Sequence, residues 1–190
     1  MSFPIMANFF ALAALAANVA TIALIVIGIA GRNKDRSPFE ILRGTTLWLA
    51  GLVALTATLG SLYLSEIVHL IPCRFCWFQR IAMYPLALIL LIAAYRKEGM
   101  IRIYAATLAT IGAGISAYHK LIQVYPSLDS GSCSTTGPSC SAALILKFEF
   151  VSIPYMALSA FILVLTLLWA DRVNERFVDN QDLEPQVDRT

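Results

Sequence analysis

Long apolar runs separated by short polar stretches set the pattern of this chain. Met1 to Gly31 carries no charged residue, and Pro4 to Ala30 reads as a continuous helix rich in Ala, Leu and Ile. Thr46 to Ser65 adds 20 uncharged residues, and Val151 to Ala170 another 20. Each run matches the ~20 apolar residues that cross ~30 Å of hydrocarbon. Two further spans are less clean. One runs from about Trp77 to Tyr95, and its strictly uncharged part, Ile81 to Tyr95, has 15 residues. At 1.5 Å per residue that part covers ~22 Å, so Arg80 is expected to be drawn to the depth of the lipid boundary. The other follows Arg102 and reaches roughly Tyr125, with His119 and Lys120 near its end. Five membrane helices are therefore expected, followed beyond Asp171 by a polar, mobile tail.

Composition fixes the solvent in which those helices sit. Of 190 residues, 58% are hydrophobic and 14% charged, with mean hydropathy +0.72, where a soluble domain carries roughly 25% charged residues. This excludes an ordinary soluble enzyme. The missing positive start and the length of the first run argue against a cleaved signal peptide. Net charge of +2 says little, but its distribution says more. Arg32, Lys34, Arg36 and Arg43 fall in the first loop, Arg96, Lys97 and Arg102 in the third, and Arg172, Arg176 and Arg189 in the tail. These are ten of the fourteen basic residues, and basic residues near helix ends concentrate on the cytoplasmic side. The expected topology thus has the N-terminus outside, the C-terminus inside, and all four cysteines outside.

Cys73 and Cys76 lie in the short outer loop, within IPCRFCWFQRIAMYP, and Cys133 and Cys140 lie in the long one with six residues between them. An even count of external cysteines is compatible with structural disulfides. A zinc cage is a second reading, which the wide spacing of the second pair disfavours. A third is redox exchange. Pro72 suits a first helical turn, which would put Cys73 and Cys76 at a helix N-terminus where the dipole and free N–H groups favour a thiolate. A C-x-x-C disulfide closes a very small ring and constrains little of the unfolded chain, so stability is a poor reason for it.

Arg80 follows Cys76 by four residues, so both project from one helix face. A snorkelling anchor is the plain reading of such an arginine. A guanidinium beside a thiol would also favour a thiolate and an electron-rich oxygen on an acceptor, as passing electrons to a quinone-like ring requires. His119 and Gln123, one turn apart in AYHKLIQVYPS, are open to the same two readings, interfacial anchor or chemistry.

Taken together, PCRFCWFQRIAMYPL, AYHKLIQVYPS, a loop with two cysteines and VSIPYMALSAF resemble the membrane disulfide-generating proteins of the DsbB family, most closely its BdbC-type branch. The resemblance covers about Thr46 to Trp169, in the family's order. It implies an all-α polytopic membrane protein, a four-helix bundle at 46–170, that reoxidises an extracytoplasmic DsbA-like (BdbD-like) thioredoxin-fold partner and passes electrons to a membrane quinone, ubiquinone or menaquinone. Carried over, Cys133 would form the mixed disulfide with the partner, and Cys140 would exchange with the first pair. Cys73 would join that exchange, Cys76 would face the quinone, and Arg80 and His119 would sit at the quinone site.

The expected setting is a bacterial cytoplasmic membrane, with 32–45 a basic cytoplasmic loop and 171–190 a cytoplasmic tail. No metal ligands and no nucleic-acid partner are assigned. The run 1–31 departs from the four-helix pattern and has no chemical role assigned. The short interval between Cys133 and Cys140 leaves little room for the longer segment seen in some members. Three alternatives remain: a quinone reductase resembling vitamin K epoxide reductase, a structural protein with stapled outer loops, and a metal-handling membrane protein.

Overall fold

A computed structural model describes residues 3–31, 38–128, 140–141, 146–148 and 150–187. The five apolar runs form five helices: α1 (Phe3–Ala30), α2 (Thr46–Leu62), α3 (Arg74–Arg96), α4 (Arg102–Val124) and α5 (Ile153–Val187). All five are long and apolar enough to cross a membrane. In lipid a helix satisfies its own backbone, which leaves the outward side chains free to be apolar. Ile22, Ile29, Ile81, Leu88 and Ile103 are accordingly exposed on the outside of the bundle.

The core lies between α2, α3, α4 and α5, around Leu86, Leu90, Phe161 and Val164, with Ala50, Ala54, Ala105 and Ala109 as small spacers. Small residues let helices approach closely where lipid supplies no hydrophobic drive between them. Gly112 shows how closely: a Cβ there would lie 2.2 Å from the ring of Phe161 on α5.

α1 packs on α5 and α2. Its buried residues Ala7, Ala11, Ala14, Thr21 and Gly28 recur at intervals of four, three, seven and seven positions and form one seam. Asn18 lies on the same side and donates a 2.8 Å hydrogen bond to the Tyr155 hydroxyl of α5. Further along, Gly28 lies against Trp169 of α5, so the two helices run parallel. Gly60 of α2 admits the ring of Phe10, whose atoms lie 2.5 Å from where a Cβ would stand.

The two ends of the bundle are held differently. At one end Arg102 pairs with Asp171 at 2.6 Å and with Glu175, Thr46 bonds Asp171, and the buried Asn174 donates to the Phe39 carbonyl at 3.0 Å. At the other, the chain returns from the long loop through a two-stranded antiparallel hairpin, β1 (Leu146–Lys147) and β2 (Val151–Ser152). Lys120 of α4 ties this hairpin down, donating to the Phe150 carbonyl at 2.9 Å and to Ser152 Oγ at 3.2 Å.

The structure corrects three expectations. Val151 and Ser152 belong to β2, so the last span starts at Ile153. The segment beyond Asp171 continues α5 to Val187, because Asp171, Asn174 and Glu175 face partners on α2, α4 and the turn at Phe39. Pro72 precedes the helix rather than entering its first turn, and Cys73 is the N-cap.

Candidate functional site

The site is built where α3 begins. Cys73 has an extended backbone, and its sulfur accepts from the N–H of Cys76 at 3.4 Å. This is the cap that a helix N-terminus asks for, supplied here by sulfur. It folds Cys76 back so that the two sulfurs lie 2.9 Å apart. Both are free thiols in this structure. The Cys73 thiol is lowered from 9.0 to about 4, chiefly by the hydrogen bond from the Cys76 thiol, against the opposing effect of burial, with smaller help from His119 and the Cys76 N–H. Cys73 is thereby favoured as the thiolate of the reduced pair.

His119 comes from the last turns of α4 and is buried. Its Nε2 lies 3.6 Å from Cys73 Sγ, and its Nδ1 lies 3.4 Å from Nε2 of Gln79 on α3. An amide NH₂ can only donate, so Nδ1 accepts and the ring proton sits on Nε2, directed at the Cys73 sulfur. The ring is flanked by Phe75 at 5.5 Å between centroids. Cys73, Cys76 and His119 offer donor atoms all within 4.8 Å of one another, a set also chemically able to grip a soft metal ion when both thiols are reduced.

Arg80 stands on the other side of Cys76. Its Nε donates to Ser61 Oγ at 2.9 Å and its Nη2 to the Ser61 carbonyl at 3.1 Å. The guanidinium also covers the Trp77 ring at 5.3 Å. Arg80 is six residues inside α3, about 9 Å along the axis. Ser61 of α2 thus supplies polar partners to a guanidinium six residues into a 23-residue apolar helix.

Cys76, Gln79, Arg80 and Ser61 border the upper part of a cavity of roughly 500 Å³ enclosed by α1, α2, α3 and α5. Its remaining lining is almost wholly apolar and includes Leu49, Leu52 and Val53 from the half of α2 that begins at Thr46. The volume lies within the usual range for a small-molecule site.

Cys140 is disulfide-bonded and buried in one small cluster with Cys73, Phe75 and Ile122. The fold therefore brings together Cys73, Cys76, His119 and Cys140, with Arg80 on the cavity side. Cys133 lies outside the described residues. Gln123, grouped with His119 by spacing, does not join it: its side-chain oxygen is buried and has no hydrogen-bond partner among the described residues. Gln79 and Ser61 were not anticipated. Gln79 lies three residues after Cys76, and that spacing on an apolar helix was the available signal; Ser61 acts from another helix and left none.

The family model described as disulfide bond formation protein DsbB matches residues 43–171. The chain belongs to the DsbB family. As a member it is a multi-pass membrane oxidoreductase that forms disulfide bonds, of the BdbC-like kind. It is 45% identical over 122 residues to disulfide bond formation protein C of Bacillus subtilis, covering 64% of this chain and 88% of that one. To a probable disulfide formation protein of Metapseudomonas resinovorans it is 43% identical over 125 residues, 64% of this chain and 85% of the other. To probable disulfide formation protein C 2 of Bacillus anthracis it is 40% identical over 136 residues, 72% and 96%. No solved structure matches the chain.

Proposed function

We propose that this DsbB-family member reoxidises an extracytoplasmic DsbA-like thioredoxin-fold protein and delivers the electrons to a membrane quinone. The observation that carries the reading is the position of the Cys73–Cys76 pair between two surroundings. On one side is the buried cluster with the disulfide-bonded Cys140. On the other is an apolar cavity whose polar end holds Gln79 and Arg80. A quinone fits that setting: the Arg80 cation for a ring oxygen, the Cys76 thiol beside it, and apolar walls for the rest. When bound it supplies a two-electron, two-proton acceptor.

The chain's own residues then divide the work. Cys133 receives the partner's thiolate, forming the mixed disulfide, and Cys140 leaves as a thiolate able to attack the first pair. Cys73 shares the buried cluster with Cys140 and takes part in that exchange; His119 holds a proton against it, and Gln79 sets the tautomer. Cys76 borders the cavity and faces the acceptor. Arg80, held by Ser61, keeps a positive charge beside it. Residues 46–170 form the catalytic unit, with 32–45 and 171–190 on the cytoplasmic side and both cysteine loops outside.

The test is quinone reduction by purified protein with a reduced thioredoxin-fold partner. One quinol per partner disulfide is expected, abolished in Cys73→Ala and Cys76→Ala while both variants remain folded in membranes. Full activity in either variant would refute the scheme. Arg80→Ala should raise the quinone concentration needed for half-maximal rate, and Cys140→Ala should trap the partner on Cys133.

A further inference from the structure

The family match begins at residue 43, so α1 is an addition to the pattern that defines the family, and its faces show what it adds. One face is the seam on α5 through Ala7, Ala11, Ala14 and Thr21. The outward face carries branched residues, Val19, Ile22, Val26 and Ile29, all more than half exposed. Between them runs a third row, Phe10, Ala13, Ala17 and Ala20, which borders the cavity. Below Phe10 the side chains of this row are small where the lipid side is bulky. Alanine keeps the cavity open: a leucine or isoleucine there would fill it.

The cavity also has a direction. Its polar lining, Ser61, Cys76, Gln79 and Arg80, lies at the cysteine end, and Phe10 stands beside it against Gly60. From Phe10 to Ala20 the row runs about 15 Å away from the cysteine end, and the cavity lining also includes Leu49, Leu52 and Val53 from the half of α2 that begins at Thr46. A redox ring held at Arg80 would leave most of this length empty. An extended, branched hydrocarbon attached to that ring would fill it.

We propose that α1 is the lipid-side wall of the acceptor site and holds the isoprenoid chain of the quinone along Ala13, Ala17 and Ala20, making this helix a determinant of acceptor choice. The proposal rests on quinone being the acceptor. It assigns the ring to the family's helices and the chain to α1. α1 is itself positioned by the Asn18–Tyr155 hydrogen bond and by Phe10 on Gly60, so the wall has a fixed register.

The experiment uses the full chain in phospholipid nanodiscs. A quinone with a photoreactive group in its isoprenoid chain is irradiated with the protein, and labelled peptides are mapped by mass spectrometry. Label on 10–20, competed by unmodified long-chain quinone but not by added phospholipid, supports the proposal. Label confined to other helices, or competed equally by phospholipid, overturns it. In parallel, Ala13→Leu/Ala17→Leu is compared with Val19→Leu on the lipid side. The double variant should raise KM for a long-chain quinone about tenfold and leave that for a short-chain quinone unchanged, and Val19→Leu should change neither. An unchanged long-chain KM, or equal loss with both quinones, overturns it. If the unaltered chain reduces no quinone of either length, the acceptor reading itself fails; if it reduces both and the double variant shows no chain-length effect, only the role of α1 fails.

Discussion

At the scale of single residues, the chemistry turns on which sulfur holds the charge. In the reduced protein the Cys76 thiol beside it holds the Cys73 thiol down to about 4, against 9.0 for an ordinary thiol. Between those values the folded state binds fewer protons than the unfolded chain, so the stability of the reduced form should rise with pH across that interval. The contribution is complete above about pH 9 and disappears as pH falls through about 4. The thiolate absorbance of the reduced protein should therefore persist at pH 5 to 6, where an ordinary thiol is protonated, and His119→Ala should shift the profile upward. A flat comparison between the two proteins would remove His119 from this role. Gln79→Leu should have a related effect, since without the amide donor the ring can carry its proton on Nδ1. The variant should slow exchange at Cys73 while leaving binding of the acceptor at Arg80 less affected, separable as kcat against KM. The cysteine pair, Arg80 and His119 were legible in the sequence because their motif is local or shared with a family. Ser61 was not, because a hydrogen bond between α2 and α3 has no spacing of its own.

At the scale of elements, small residues decide how closely the helices meet. Gly112→Ala would press a methyl into the ring of the fully buried Phe161, and overpacking of this kind costs about 1–3 kcal/mol. A lowered midpoint in thermal unfolding of the detergent-solubilised protein would show it, and an unchanged midpoint would mean that α4 and α5 can separate without loss. The five helices could be read from apolar length alone, since the membrane imposes that length. Their ends could not. β2 takes Val151 and Ser152 from the apolar run because Lys120 holds the hairpin beside them, and the polar segment after Asp171 stays helical because its acidic and amide side chains meet Arg102 and the Phe39 carbonyl. Hydropathy records neither, as both depend on partners distant in the chain.

At the scale of the molecule, the same contacts tie α2, α4 and α5 together at the end remote from the cysteines. Arg102 and Asp171 are both largely buried, with side chains 14% and 13% exposed. Removing one member of such a pair leaves a poorly solvated charge and can cost about 3–5 kcal/mol at full burial, less here where both retain some exposure. Asp171→Ala is expected to lower the unfolding midpoint while leaving Cys73 reactivity unaltered, since the two regions share no residue. Loss of both together would mean that the ends are coupled through the bundle.

The contrast between those two ends bears on how the molecule can move. With ionic and amide links clamping one end, rearrangement of the sulfur partners need not disturb the whole scaffold; the helices can hinge from a fixed base, as tongs do. Backbone deuterium uptake should then form a gradient, slowest around Arg102 and Asp171 and fastest around Lys120 and the hairpin it holds, and reduction of the cysteines should steepen it from the top alone.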